Sequence, residues 1–258
     1  MERTKLYFAS DFHLGIPDQP RSLKREKMLV RWLDSAAKDA AEIFLMGDIF
    51  DFWFEYSTVV PKGFVRLLGK IAEITDQGIP VHVFRGNHDI WAFDYLEKEL
   101  NVQLYRNPVI REFGGKTFFL AHGDGLGPGD HGYKFLKKVF EFKPNQFLFK
   151  WLHPDIGTRM GLYFSGRSRL ANVAKFGKIE NVPDHQKQIL TTFAQQQFEL
   201  HPDIDFFIFG HRHVPILEKI NDKASLVILG DWLTHFTYAT FDKGEMQLLH
   251  FEEETAAS

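Results

Sequence analysis

Seven side chains of this chain could hold metal ions, and they fall in five short blocks. Asp11 and His13 stand in Ser10-Asp11-Phe12-His13, Asp48 in Gly47-Asp48-Ile49-Phe50-Asp51, and Asn87 in Gly86-Asn87-His88-Asp89. His122 opens His122-Gly123-Asp124, while His211 and His213 close Gly210-His211-Arg212-His213. Imidazole, carboxylate and amide oxygen together suit borderline first-row cations, so Mn, Fe, Zn and Co all fit. Magnesium alone is disfavoured, because four of the seven donors are imidazoles. Seven donors exceed the need of one ion, and Asp48 is the natural carboxylate to bridge two. Two ions side by side clamp a phosphoryl group for in-line displacement. Two dications set against Asp11 and Asp48 leave positive charge that an anionic phosphate ester would balance.

Other polar residues read more plainly. A lone histidine near a strand usually has a structural partner, which is the expectation for His82, His153, His201 and His250. His131 and His185 are expected at the surface, and His235 in a strand-end hydrogen bond. Asp51 and Asp124 are expected to brace histidines from behind. His88 is a titratable ring beside Asp89, a carboxylate expected to orient it and raise its pKa.

Each block needs a strand to deliver it. Apolar runs at 6–9, 43–46, 79–84, 116–121 and 206–209 read as buried strands that end at the five blocks. Helical spacing of Leu29, Trp32, Leu33, Ala36 and Ala40 predicts a helix over about 22–41. Further helices are expected at 63–76, 94–100, 133–142, 146–152 and 183–199, with a Gly- and Arg-containing run at 157–178. Runs at 226–229, 238–241 and 246–251 read as closing antiparallel strands. Strand and helix alternate with chemistry only at strand ends, the pattern of an α/β protein with its site at the carboxyl edge. Carboxylates at successive strand tips serve a core badly, because burying unpaired charge is costly.

Composition narrows the class. A chain of 258 residues, 44% hydrophobic and 25% charged, suits one globular domain with a sizeable insertion. A net charge of −3 argues against a nucleic-acid partner. The absence of cysteine excludes disulfides, thiolate metal sites and a thiol nucleophile. The first residues run straight into a strand pattern and no apolar run approaches a membrane span, so a cytoplasmic protein without a signal peptide is expected.

The insertion, about 125–180, has its own character. Between His131 and Glu180 ten Lys and Arg face three acids, interleaved with aromatics. On a helix through 133–141, Tyr133, Leu136 and Phe140 share one face, and Lys134, Lys137, Lys138 and Glu141 another. Such a helix lies well on an anionic membrane surface. It serves equally as a helical cap with a small core and a solvated basic face.

The motifs Asp11-x-His13, Gly47-Asp48-x-x-Asp51, Gly86-Asn87-His88-Asp89, His122-Gly123-Asp124 and Gly210-His211-x-His213, in that order, resemble the calcineurin-like metallophosphoesterase superfamily. The resemblance implies a four-layer αββα sandwich of two mixed sheets with helices outside. It implies that Asp11, His13, Asp48 and His213 hold one divalent ion and Asp48, Asn87, His122 and His211 a second, with manganese expected. It gives His88, oriented by Asp89, the task of stabilising the phosphoryl transition state or protonating the leaving oxygen. A narrower set is similar to the UDP-2,3-diacylglucosamine pyrophosphohydrolase family of lipid A synthesis: His122-Gly123-Asp124-x-Leu126, Asp130, Tyr133, Arg167-Ser168-Arg169-x-Ala171-Asn172-x-x-Lys175 and Phe50-x-x-Trp53. That similarity implies cleavage of a nucleotide-sugar lipid to UMP and 2,3-diacylglucosamine 1-phosphate at the inner face of the inner membrane. It implies a helical lid over the acyl chains, with Asn87, Asp130, Tyr133, Ser168 and Lys175 around glucosamine and phosphate, and Arg167 and Asn172 in support. Well-known members of that family carry Arg where His88 stands, Glu where Asp51 stands and a Cys-Thr-Asp-Asp run where Gly127-Pro128-Gly129-Asp130 stands. The alternatives are another metallophosphoesterase, such as a phosphodiesterase or nucleotide-sugar hydrolase, and a non-catalytic scaffold of the same fold.

Overall fold

Two-residue alternation along the strands builds the layers. In β1 (Lys5–Ala9), Leu6 and Phe8 join a core between two sheets, while Tyr7 and Ala9 face a helical layer outside. A computed structural model describes residues 3–129, 131–176 and 184–252, without the side chains of 168–176 and 184–187. Its first sheet takes β1, β2 (Ala40–Leu45), β3 (Val81–Phe84) and β4 (Gln103–Tyr105) in parallel. On the other side of β1 lie β10 (Thr237–Asp242) and β11 (Glu245–His250), both antiparallel to their neighbours. The second sheet runs β5 (Val109–Phe113), β6 (Lys116–Leu120), β7 (Phe206–Phe209), β9 (Ser225–Leu229) and β8 (Pro215–Lys219).

Helices α1 (Gln19–Ala36), α2 (Val65–Asp76) and α3 (Tyr95–Leu100) cover the outer face of the first sheet through Trp32, Leu33, Leu67, Ile71 and Leu96. Leu190 and Ala194 of α7 (Asp184–Leu200) cover the outer face of the second, against Phe207 and Phe209. The expected αββα sandwich of two mixed sheets is thus the observed architecture. Between β6 and α7 stand α4 (His131–Glu141), α5 (Lys143–Lys150) and α6 (Pro154–Phe176).

Three expectations need correction. Helix α1 stops at Ala36, and Ala40 and Ala41 open β2 instead. Strands β4, β5 and β8 carry too little apolar alternation to be read as strands, with exposed or half-buried residues at most positions. Strand β9 is antiparallel to β8 as expected, but on its other side it runs parallel to β7.

Phe8 is fully buried where the sheets meet, stacked on Phe44 at 4.9 Å and on Phe118 at 6.2 Å between ring centres. Phe8→Ala should therefore lower the unfolding free energy by about 3–5 kcal/mol, read from the shift of the urea midpoint at unchanged slope.

Candidate metal centre

The five blocks lie at the carboxyl ends of β1, β2, β3, β6 and β7, and tight turns aim their side chains at one point. Asp11, His13, Asp48, His211 and His213 all adopt positive φ, at 58°, 44°, 51°, 67° and 57°. A non-glycine residue in that region costs about 1–3 kcal/mol and persists where the surroundings demand it. Glycine is required at two neighbouring points. A Cβ on Gly86 would stand 2.1 Å from Asp48 Oδ1, and one on Gly210 would stand 2.6 Å from Asp11 Oδ2. Backbone bonds then join the two sheets here, since His211 N donates to Asp11 Oδ2 at 2.8 Å and Trp232 N to Asp11 O at 3.1 Å.

The seven expected donors come together in two groups that share Asp48. Asp11, His13 and His213 form one cluster, and Asp48, His122 and His211 the other, each with its donor atoms within 4.8 Å. Asp48 Oδ2 lies 3.7 Å from His13 Nε2 and 3.4 Å from His122 Nε2, between the groups. Asn87 Oδ1 is 3.4 Å from His122 Nε2.

Partners behind the rings decide which nitrogen faces inward. His13 Nδ1 donates to Asp51 Oδ1 at 3.2 Å, His122 Nδ1 to the Met46 carbonyl at 2.8 Å, and His213 Nδ1 to Asp231 Oδ2 at 3.1 Å. Each ring so held turns the lone pair of Nε2 to the centre. His13 Nε2 and His213 Nε2 then stand 3.3 Å apart, a contact that needs a proton or a cation between them. Asp11 Oδ1 is buried without a hydrogen-bond donor, 3.3 Å from His213 Nε2. Facing lone pairs beside an unsatisfied carboxylate oxygen fit a cation. The donor set therefore suits divalent metal.

Without metal, protons meet the same charge. Burial raises the Asp11 carboxyl, but His213 and His13 outweigh it and hold the pKa at about 2. Burial lowers His13, yet Asp11 and Asp51 lift it to about 10, and His122 reaches about 10 against its own burial through Asp48. His211, buried and next to His122 and Arg212, falls to about 3 and is a neutral donor. A cleft beside His122 has Arg85, Arg106 and Lys137 in its walls, which suits an anionic ligand.

Several residues behave otherwise than expected. Asp89 does not orient His88: its carboxylate accepts from Ile49 N at 2.7 Å and Gly86 N at 2.6 Å, bracing the loop backbone. His88 Nδ1 instead meets the Asp51 carbonyl at 3.0 Å and Ser165 Oγ at 3.1 Å. Burial, rather than a carboxylate neighbour, dominates its pKa and lowers it. Asp51 braces His13 as expected, whereas Asp124 accepts from Tyr133 Oη at 2.6 Å and Lys137 Nζ at 2.7 Å. Lys137 and Lys134, which donates to the Gly127 carbonyl, are thus drawn inward rather than left on a solvated face. Asp130 and the side chains of Ser168 and Lys175 lie outside the described residues. Two contributors were missed by sequence reading, Asp231 and Ser165. Asp231 follows an apolar run ending in Gly230, the same signal as the other blocks, while nothing around Ser165 marks it. His235 donates only its backbone N–H to Asp231 Oδ1, at 2.9 Å, while its ring Nδ1 stands 3.5 Å from the same oxygen without a hydrogen bond, so the strand-end side-chain bond expected of it is not formed.

Removing the charge behind His213, by Asp231→Asn, should weaken manganese binding about 10–100-fold in calorimetric titration. Below pH 10 the metal-free protein holds protons on His13 and His122, because both pKa values lie above the usual 6.5. Metal must displace them, so apparent affinity should rise with pH up to about 10. Titrations in buffers of different ionisation enthalpy should show proton release at pH 8, and a pH-independent affinity there would contradict the tautomers given above.

Comparison with known proteins agrees with this geometry. Residues 4–215 match the family model described as calcineurin-like phosphoesterase. A UDP-2,3-diacylglucosamine hydrolase of Porphyromonas gingivalis is 36% identical over 97% of this chain and 99% of its own. A second, of Aeromonas hydrophila, is 27% identical over 93% and 96%. Among solved structures, a dimetal phosphatase of Danio rerio aligns over 98% of this chain and 100% of its own at TM-score 0.45 and 11% identity. By the match of its fold-spanning motifs, the chain belongs to the calcineurin-like phosphoesterase family.

Proposed function

We propose that this enzyme hydrolyses the pyrophosphate bond of UDP-2,3-diacylglucosamine, releasing UMP and 2,3-diacylglucosamine 1-phosphate for lipid A synthesis. The observation that carries the reading is an Asp48-centred pair of donor clusters beside an insertion rich in exposed apolar side chains. The near full-length relatives that bear this activity's name support it.

In this reading Asp11, His13, Asp48 and His213 hold one ion, and Asp48, Asn87, His122 and His211 the other. Two bound divalent ions, manganese in our proposal, would supply Lewis-acid polarisation of the phosphoryl oxygens and a water of lowered pKa. The protein's own groups do the rest. Asp51, Asp231 and the Met46 carbonyl fix the rings, and Asp89 holds the Gly86–His88 turn through backbone amides. His88 Nδ1 donates to the Asp51 carbonyl, so Nε2 faces outward with its lone pair, and it would donate to a phosphoryl or leaving oxygen only after taking up a proton as the imidazolium. Asn87, Asp130, Tyr133, Ser168 and Lys175 would surround the sugar and its phosphate. Arg85 and Arg106 add positive charge beside the second cluster.

The chain forms one domain in which residues 125–180 act as a lid. Phe140 and Phe149 anchor the insertion in a cluster with Phe52, Phe54 and Trp91. Phe142, Phe147, Leu148 and Trp151 stay exposed, the last at 78%, with Lys143 and Lys150 at the two ends of α5. Such a surface suits an anionic bilayer and acyl chains, at about 0.8 kcal/mol per methylene buried. No helix among the described residues is long and apolar enough to cross a membrane. We place the protein in the cytoplasm, peripherally on the inner face of the inner membrane.

Manganese-loaded protein given UDP-2,3-diacylglucosamine should yield UMP and the acylated sugar phosphate by mass spectrometry. Turnover of simple phosphodiesters with the lipid left intact would instead favour another phosphoesterase activity. Replacing Phe147 and Trp151 by serine should reduce sedimentation with anionic vesicles and raise KM for the lipid substrate, with aryl phosphodiester turnover unchanged.

A further inference from the structure

Helix α6 crosses the loop that follows β2 at unusually close range. Gly157, Gly161 and Ser165 recur every four residues and so lie along one face of the helix. A Cβ at Gly157 would stand 2.1 Å from Tyr56 Oη and 3.0 Å from Phe149 Cε1. One at Gly161 would stand 2.1 Å from Phe52 Cδ2, on a ring already packed edge-on to Trp91. The bare backbone of the insertion therefore rests on the loop at 51–56, and the next residue along that face, Ser165, is carried into the metal centre.

Ser165 is buried there, and its hydroxyl reaches two groups of the centre. Its hydroxyl donates to Asp51 Oδ2 at 2.8 Å, and its oxygen lies 3.1 Å from His88 Nδ1. One assignment of protons is consistent with these four contacts. His88 Nδ1–H is shared between the Asp51 carbonyl and Ser165 Oγ, the Ser165 hydroxyl donates to Asp51 Oδ2, and His13 Nδ1–H donates to Asp51 Oδ1. Asp51 thus joins an insertion residue to a ring of the first donor cluster.

We propose that Ser165 is a positioning residue through which helix α6 completes the metal centre. It holds the Asp51 carboxylate against His13 and sets the plane of the His88 ring. This deepens the dinuclear reading given above and rests on it. The insertion is then more than a cover for the lipid. Lifting α6 off Phe52 loosens His13 and His88 together, so docking of the insertion and metal affinity are linked, each strengthening the other.

Three variants test this on the full-length protein, with thermal melting as a check on folding. The readouts are manganese affinity by calorimetry on metal-free protein, and kcat and KM on bis(p-nitrophenyl) phosphate, neither of which needs the lipid. Ser165→Ala should lower both metal affinity and kcat about 10-fold, leaving KM unchanged, while Ser165→Thr keeps both within about threefold of wild type. Gly161→Ala leaves the serine in place but displaces the helix, and should reproduce the Ser165→Ala losses. Wild-type affinity and kcat in Ser165→Ala would overturn the proposal. So would equal losses in Ser165→Thr and Ser165→Ala, which would reduce the residue to packing, or an unaltered Gly161→Ala protein. If the lipid is not a substrate of the wild type, the substrate assignment fails and these measurements stand.

Discussion

Two carboxylates buried side by side, Asp11 at 0% exposure and Asp48 at 1%, impose the constraint to which the rest of the structure answers. Burial raises the pKa of both, and Asp48 raises that of Asp11 further. Only positive charge close by can keep them ionised in such a place. The protein supplies imidazoles whose inward nitrogens are bare, so the compensation must come from protons or from metal. Asp51, Asp231 and the Met46 carbonyl already occupy the other ring nitrogens, so proton and metal compete for the same inward Nε2 positions.

The sandwich follows from that requirement. Neither sheet alone carries the whole donor set: β1, β2 and β3 bring Asp11, His13, Asp48 and Asn87, while β6 and β7 bring His122, His211 and His213. The sheets must pack with their carboxyl edges together, and the aromatic layer of Phe8, Phe44, Phe84 and Phe118 between them does this. At the edge, residues in left-handed conformation bend the backbone inward. Glycines at 86 and 210 let one loop pass against the carboxylate of another. Strain at these turns is offset by the packing of both sheets behind them.

The insertion has two faces with different physics. Phe140 and Phe149, together with Gly157, Gly161 and Ser165, fasten it to the loops that carry the site. Phe142, Phe147 and Trp151 remain in solvent, where large apolar side chains gain nothing unless they meet an apolar partner. A phosphoester with long acyl chains addresses both faces at once, its charge at the metal centre and its chains along the apolar surface. That pairing is what joins the catalytic and lipid halves of the proposed activity.

How far the protein was legible depended on range. Strands β1, β2, β3, β6 and β7, and the donors at their tips, were readable because apolar runs ending in Asp, Asn and His are local patterns with a local cause. The sequence alone determined which residue types could meet a cation, and hence the class of chemistry. Edge strands β4, β5 and β8 were not readable, since half-exposed strands lack the alternation that marks buried ones. Adjacency misled once: Asp89, next to His88 in the chain, turns back to the amides of Ile49 and Gly86. The groups that meet the His88 ring come from 37 residues away, at the Asp51 carbonyl, and 77 residues away, at Ser165. Which carboxylate braces which ring, which nitrogen faces inward and where the insertion seats itself were decided by tertiary structure, because a hydrogen bond is set by distance and direction in space and leaves no periodic trace along the chain.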